Sequence, residues 1–233
     1  MSDRPLPEPR RVLLIGATGL IGREVMRQAV TTPQVRLTAL ARREVPLPRG
    51  ARMEMLVADT ANWAQAIATI QPDAIICALG TTFAAVGKDE AAFRAVDQDL
   101  VLAVARAARA AGVERFVLIS SVGAAISAKA FYLRVKGEVE QALGKLGFRR
   151  LDLLQPGLLR GKRAERRVLE RVAMIVSPLT DLLLQGQWRR FRSVPAATLA
   201  RAALAATLEK PGGRLTHDHD AILRLARKLD QPE

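Results

Sequence analysis

Tyr132 is the only tyrosine in the chain, and Lys136 follows it by four residues. On a helix that spacing puts both side chains on one face. An ammonium beside a phenol favours the phenolate, so the phenol can give up and recover a proton near neutrality. Ser120 and Ser121 stand eleven and twelve residues upstream of the tyrosine. A hydroxyl there can bind the carbonyl or alcohol oxygen that Tyr132 would protonate. Two plainer roles stay open at this point: an exposed helix pair for Tyr132 and Lys136, and strand-end capping for the serines.

A second group of residues has the chemistry to bind an anion. Gly16, Gly19 and Gly22 occur at GxxGxxG spacing in Gly16-Ala17-Thr18-Gly19-Leu20-Ile21-Gly22, directly after the apolar run Val12–Ile15. A strand that turns tightly into a helix leaves free N–H groups at the helix N-terminus, where a pyrophosphate can approach the backbone. A close packing solution would use the same glycines. Nucleotide folds commonly carry an acid about 20 residues past this loop, to bind the ribose 2′-hydroxyl. Here Arg42 and Arg43 take that place, and no carboxylate comes before Glu44. Two guanidiniums suit a 2′-phosphate and can stack on adenine, which favours NADP(H) over NAD(H). A solvated arginine pair is the plainer reading. Asp59 and Thr60 either contact the adenine or, for Asp59, cap the next helix.

These residues need a scaffold, and the pattern of the chain supplies one. Strands are expected at residues 11–15, 35–41, 53–58, 74–79, 115–120 and 151–155. Helices are expected at 20–31, 62–70, 90–111 and 129–146, with Gly112 and Gly147 ending two of them. Alternation of this kind means βαβ units and a parallel sheet covered on both faces. Beyond Gly157 the pattern is less regular, with helices expected at 164–176, 195–209 and 218–229 and a short strand at 213–215. The expectation is one domain over 1–233, with its core at 11–157 and a small substrate-side portion at 158–233.

Composition limits the alternatives. Apolar residues are 49% of the 233, enough for a sizeable core. One cysteine, Cys77, excludes a disulfide framework and a multi-cysteine zinc site. Aromatics at 4% argue against a base-stacking platform. The net charge of +13 comes from 29 arginines and 7 lysines against 23 acids. Residues 149–192 hold eleven basic and four acidic residues, a net of +7, with only Trp188 and Phe191 interleaved. A solvated face, an anionic substrate or a protein partner accounts for that stretch better than nucleic acid does. His217-Asp218-His219-Asp220 is read as a polar turn before the last helix, with no metal site expected. The polar, proline-rich start has no apolar h-region, and no run reaches the length of a membrane span. A cytoplasmic protein with a small-molecule substrate is therefore expected.

Taken together, Gly16–Gly22, Ser120-Ser121, Tyr132-x-x-x-Lys136 and Gln155-Pro156-Gly157 resemble the short-chain dehydrogenase/reductase superfamily. The glycine spacing and the Pro-Gly step are similar to its extended and atypical branches. Residues 96–99, 118–124 and 132–140 are similar to the subgroup holding the Tat-interacting-protein oxidoreductase. The resemblance implies a Rossmann-like, doubly wound α/β fold and NADP(H) as cofactor. It implies Tyr132 as general acid/base, Lys136 on the nicotinamide ribose and Ser121 orienting the substrate. It also implies that Ala78, Leu79, Gly80 and Thr81 line the cofactor, and that Pro156, Gly157, Leu158 and Leu159 flank the nicotinamide. Paired helices in a homodimer are a further implication. The sequence departs from the family in a shorter interval between Ser121 and Tyr132, in Asp97 where many members have asparagine, and in Gln155 where arginine is usual. The function expected is an NADP(H)-dependent oxidoreductase acting between a carbonyl and an alcohol. An NADP(H)-binding sensor or scaffold is the alternative. A nucleotide-sugar epimerase or dehydratase ranks lower, because the segment after Gly157 is short.

Overall fold

A computed structural model describes residues 8–160, 190–210 and 212–229. Seven parallel strands form its sheet, in the order β3-β2-β1-β4-β5-β6-β9. They are β1 (Arg10–Ile15), β2 (Val35–Ala41), β3 (Glu54–Val57), β4 (Ala74–Cys77), β5 (Arg115–Ile119), β6 (Arg150–Leu154) and β9 (Gly213–His217). Two short strands, β7 (Leu159–Arg160) and β8 (Val194–Pro195), pair separately. The strand order reverses between β1 and β4, and in open parallel sheets ligands bind in the crevice at such a reversal.

Continuous apolar runs make these strands, because both faces are covered. Val12 and Leu14 point to one side, Leu13 and Ile15 to the other, and all four are 0–1% exposed. On the first side lie α1 (Leu20–Ala29), α6 (Ala196–Leu208) and α7 (His219–Lys228). On the second lie α2 (Trp63–Ile70), α4 (Leu100–Ala110) and α5 (Phe131–Gly144). The alanine-rich α6 is buried along most of its length. Small side chains let it lie close to β1, β4 and β5 and to α1 at the same time.

Several boundaries differ from the sequence-based expectation for physical reasons. The fourth strand ends at Cys77; the Ala78 N–H still donates to the Ile15 carbonyl at 2.8 Å, and the Ala78-Leu79 backbone then comes against Gly16. The helix expected at 90–111 is three pieces: α3 (Glu90–Arg94), a wider π turn at Ala95–Asp99, and α4. Asp89 caps it at the start, accepting from the N–H groups of Ala91 at 2.8 Å and Ala92 at 3.1 Å. The strand expected at 213–215 continues to His217 and extends the sheet past β6. The helix expected at 164–176, with most of the basic stretch, lies outside the described residues. Within the described part of that stretch, Arg149 pairs with Glu114 at 3.2 Å and Arg150 with Asp152 at 2.7 Å. The two histidines have separate partners: His217 Nε2 meets Asp152 Oδ1 at 2.8 Å and His219 Nδ1 meets Asp220 Oδ1 at 2.9 Å. Asp218 caps α7 through the N–H of Ala221.

Candidate active site

The glycine loop joins β1 to α1 at the sheet reversal. Gly16 has φ +94°, and a Cβ there would stand 2.6 Å from the Ala78 backbone. Only glycine combines that conformation with that approach. A Cβ on Gly22 would meet the Gly16 carbonyl oxygen at 2.1 Å, so the first turn of α1 packs directly on the loop. Backbone amides at a helix start, held close and free of side chains, fit a pyrophosphate. Thr18, Gly19, Leu20 and Ile21 complete this segment, with Ile21 buried beneath it. Arg42 and Arg43 follow β2 and are exposed, as are Asp59 and Thr60 after β3.

The loop after β4 links the glycine loop to Asp97 and Lys136. Ala78, Leu79 and Thr81 are half-buried and Gly80 is exposed. The Thr81 N–H donates to Asp97 Oδ2 at 2.7 Å, and Asp97 Oδ1 meets the Lys136 ammonium at 2.8 Å. Both side chains of this pair are buried, Lys136 at 5% exposure and Asp97 at 0%. Burial pulls the Lys136 ammonium down, but the Asp97 carboxylate and the neighbouring Tyr132 outweigh it and hold the group above its ordinary value. The π turn places Asp97 on this inner side. Tyr132 lies at the start of α5, half-buried, with its ring edge-to-face on Phe93 at 5.6 Å. Phe93 is fully buried and also contacts Phe83 and Phe131, which fixes the plane of the tyrosine from behind.

The two serines separate clearly. The Ser120 hydroxyl is buried and donates to Glu140 Oε1. Ser121 is half-buried at the mouth of the loop that follows. Glu140 is one turn beyond Lys136 on α5, and it accepts from Gln155 Nε2 through both oxygens at 2.9 Å. It thereby ties α5 to the ends of β5 and β6. Past β6, Pro156 is buried, Gly157 is half-buried and Leu158 is 51% exposed. The Pro156 carbonyl accepts from the Val122 N–H at 2.9 Å, joining the loops after β5 and β6. A Cβ on Gly157 would stand 2.4 Å from the Arg192 carbonyl, and Leu159 enters β7 beside Val194.

Sequence reasoning named Tyr132, Lys136 and the serines but not Glu140. Its signal was available: Tyr132, Lys136 and Glu140 are spaced by four along one helix face. Burial raises the Glu140 carboxyl above its ordinary value, against the hydrogen bonds from Ser120 and Gln155. A raised carboxyl keeps its proton in the folded state after the unfolded chain has released it. Stability from this group is therefore greatest below the ordinary carboxylate range and is lost as pH rises through the raised value. Thermal unfolding across pH should show that decline in the native chain and a flatter profile in Glu140→Gln. An equal slope in both would contradict the assignment.

Comparison with known proteins agrees with this geometry. Residues 16–171 match a family described as NAD(P)H-binding. The chain belongs to the NAD(P)H-binding family. Its relatives include the fungal proteins named Fmp52, mitochondrial. That of Emericella nidulans is 39% identical over 169 residues, covering 70% of this chain and 72% of its own. That of Aspergillus fumigatus is 34% identical over 212 residues, covering 87% and 88%. These names overturn the cytoplasmic expectation. The lack of an apolar h-region speaks only to secretion, whereas mitochondrial addresses are amphipathic and arginine-rich. Among the described residues no helix is long and apolar enough to cross a membrane. The fold of this family member is shared with solved structures at low identity. WbmH of Bordetella bronchiseptica in complex with NAD+ has a TM-score of 0.67 at 16% identity, covering 94% of this chain and 80% of that one. MoeE5 in complex with UDP-glucose and NAD has a TM-score of 0.65 at 16% identity, covering 94% and 81%.

Proposed function

We propose that this protein is an NADP(H)-dependent oxidoreductase of the short-chain dehydrogenase/reductase type, within the atypical subgroup its motifs resemble. The observation that carries the reading is the position of Tyr132 and Lys136. They share one face of α5, and the Lys136 ammonium stands beside the loop that the glycine turn touches. Gly16, Thr18, Gly19, Leu20, Ile21 and Gly22 would hold the pyrophosphate, with Arg42 and Arg43 on the 2′-phosphate and Asp59 and Thr60 near the adenine. Ala78–Thr81 and Pro156–Leu159 would line the nicotinamide half. When bound, that ring supplies or accepts a hydride at a carbon of the substrate. Ser121 holds the substrate oxygen, and Tyr132 exchanges a proton with it. Lys136 holds the ribose and orients the phenol. Residues 158–160 and 190–193 form the side from which substrate enters. The names of the Fmp52 relatives support a mitochondrial setting.

Titration with NADPH and NADH, followed by a screen of carbonyl compounds for loss of nicotinamide absorbance, tests the reading. Turnover of any carbonyl with NADPH supports it. Tight binding without turnover across a broad panel favours a sensor or scaffold instead. For the nucleotide choice, Arg42→Ala with Arg43→Ala should weaken NADPH by about 10–100-fold and leave NADH almost unchanged. Equal losses for both nucleotides would remove the 2′-phosphate assignment.

A further inference from the structure

The buried pair Asp97–Lys136 bears on how Tyr132 would handle its proton. A lone ammonium beside a phenol favours the phenolate, which is the form that takes a proton from an alcohol. Lys136 is not alone. Asp97 Oδ1 stands 2.8 Å from its nitrogen, and the other Asp97 oxygen is held by the Thr81 N–H. Water is excluded from both partners, so the carboxylate offsets the field of the ammonium, which has Tyr132 among its electrostatic neighbours. Among the described residues, the other ionisable groups that interact with Lys136 include Cys77 on β4 and Glu140 on α5. Burial pushes the Cys77 thiol up to about 11, so it stays neutral in the physiological range. Arg94 is engaged on the outer side with Glu138 at 2.6 Å, and Arg134 lies over the Phe131 ring. The field that Tyr132 meets from within is that of a neutral pair.

We infer that Asp97 is a positioning residue which, by pairing with Lys136 at 2.8 Å, offsets the pull of the ammonium on the Tyr132 phenol and so keeps that phenol able to give a proton to the substrate oxygen. The inference rests on the oxidoreductase reading above. In the reductive step the carbonyl carbon takes the hydride of the reduced nicotinamide, which leaves oxidised. The carbon–oxygen π pair moves onto oxygen, and that oxygen takes the Tyr132 proton. Water returns a proton to the phenolate.

The test uses Tyr132 as its own reporter, because it is the only tyrosine. Phenolate absorbance is followed against pH in the full chain, without substrate. In Asp97→Asn the ammonium is left uncompensated, and the rise in phenolate absorbance should move to lower pH by about 1–2 units. In the double variant Asp97→Asn with Lys136→Gln one neutral pair replaces another, and the rise should stay within about half a unit of the native chain. This second variant leaves no lone buried charge, so it remains informative where the single one does not fold. An unmoved rise in a folded Asp97→Asn overturns the inference. So does an upward move of a unit or more in the double variant, which would mean that Lys136 acts on Tyr132 as a bare cation. Neither reading needs turnover. Failure of the carbonyl screen would therefore count against the oxidoreductase assignment alone.

Discussion

Tyr132→Phe should lower turnover by about 100- to 10,000-fold, the range for losing a positioned proton donor, while NADPH binding stays within a few-fold of the native chain. The separation of the two effects follows from the surroundings of the ring. Its packing against Phe93 is made by carbon atoms, which phenylalanine keeps. The glycine loop and the Asp97–Lys136 pair do not depend on the hydroxyl. Thermal stability should therefore change little. Lys136→Met is the less selective variant. It would leave the Asp97 carboxylate buried without its cation, so stability and activity would fall together. Steady-state rates and nucleotide titrations on Tyr132→Phe check the prediction. Retention of more than a tenth of the native rate would mean that another group supplies the proton.

Gly22→Ala should be among the most damaging single-methyl changes. The new carbon would lie 2.1 Å from the Gly16 carbonyl oxygen and 2.7 Å from the Ala17 Cα. Both neighbours are backbone, so neither can turn away as a side chain would. Either α1 shifts along its axis or the loop opens. Overpacking of this kind costs about 3 kcal/mol, or about 6–12 °C in Tm for a domain of this size. A displacement of about 1 Å at the loop should also weaken nucleotide binding by ~100-fold. Gly19→Ala is the matched control, because its Cβ would sit 3.4 Å from the same oxygen, an ordinary contact. Differential scanning calorimetry and NADPH titration of the two variants decide the matter. Equal losses at both positions would show that the spacing of the loop, and not its close packing, sets the requirement for glycine.

Local patterns carried much of this molecule in the sequence. Runs such as Val12–Ile15 announce strands covered on both faces, and the turn from β1 to α1 is written in its glycines. Helical spacing alone sufficed to place Tyr132 and Lys136 on one face of α5. What could not be seen were partnerships that the fold alone creates. Asp97 and Lys136 lie on different helices, and nothing in either segment says that the carboxylate will be buried against the ammonium. Ser120 and Ser121 look equivalent in the chain, and only the fold engages the first with Glu140 and leaves the second half-buried. The π turn at Ala95–Asp99 was invisible for a similar reason. It reconciles a helix start that presents Phe93 to the site with an α4 that presents Val101, Val104, Ala105 and Ala108 to the sheet. The extension of β9 was understated because its pattern is half-exposed at the sheet edge.

The place of α6 has a consequence for how the chain is made. Ile21, Val25 and Met26 of α1 share a core with Leu199, Ala200 and Ala203 of α6, so α1 leaves the ribosome well before the helix that covers it. Until Ala196–Leu208 emerges, the apolar stripe beneath the glycine turn faces solvent, and the β6 edge that β9 later occupies is open. Contacts so distant in sequence are slow to form, and exposed edges invite association. The turn after β1 is thus made early, and the helix it opens is covered only once α6 has emerged. A chaperone that shields α1 through that interval would protect its apolar stripe from association.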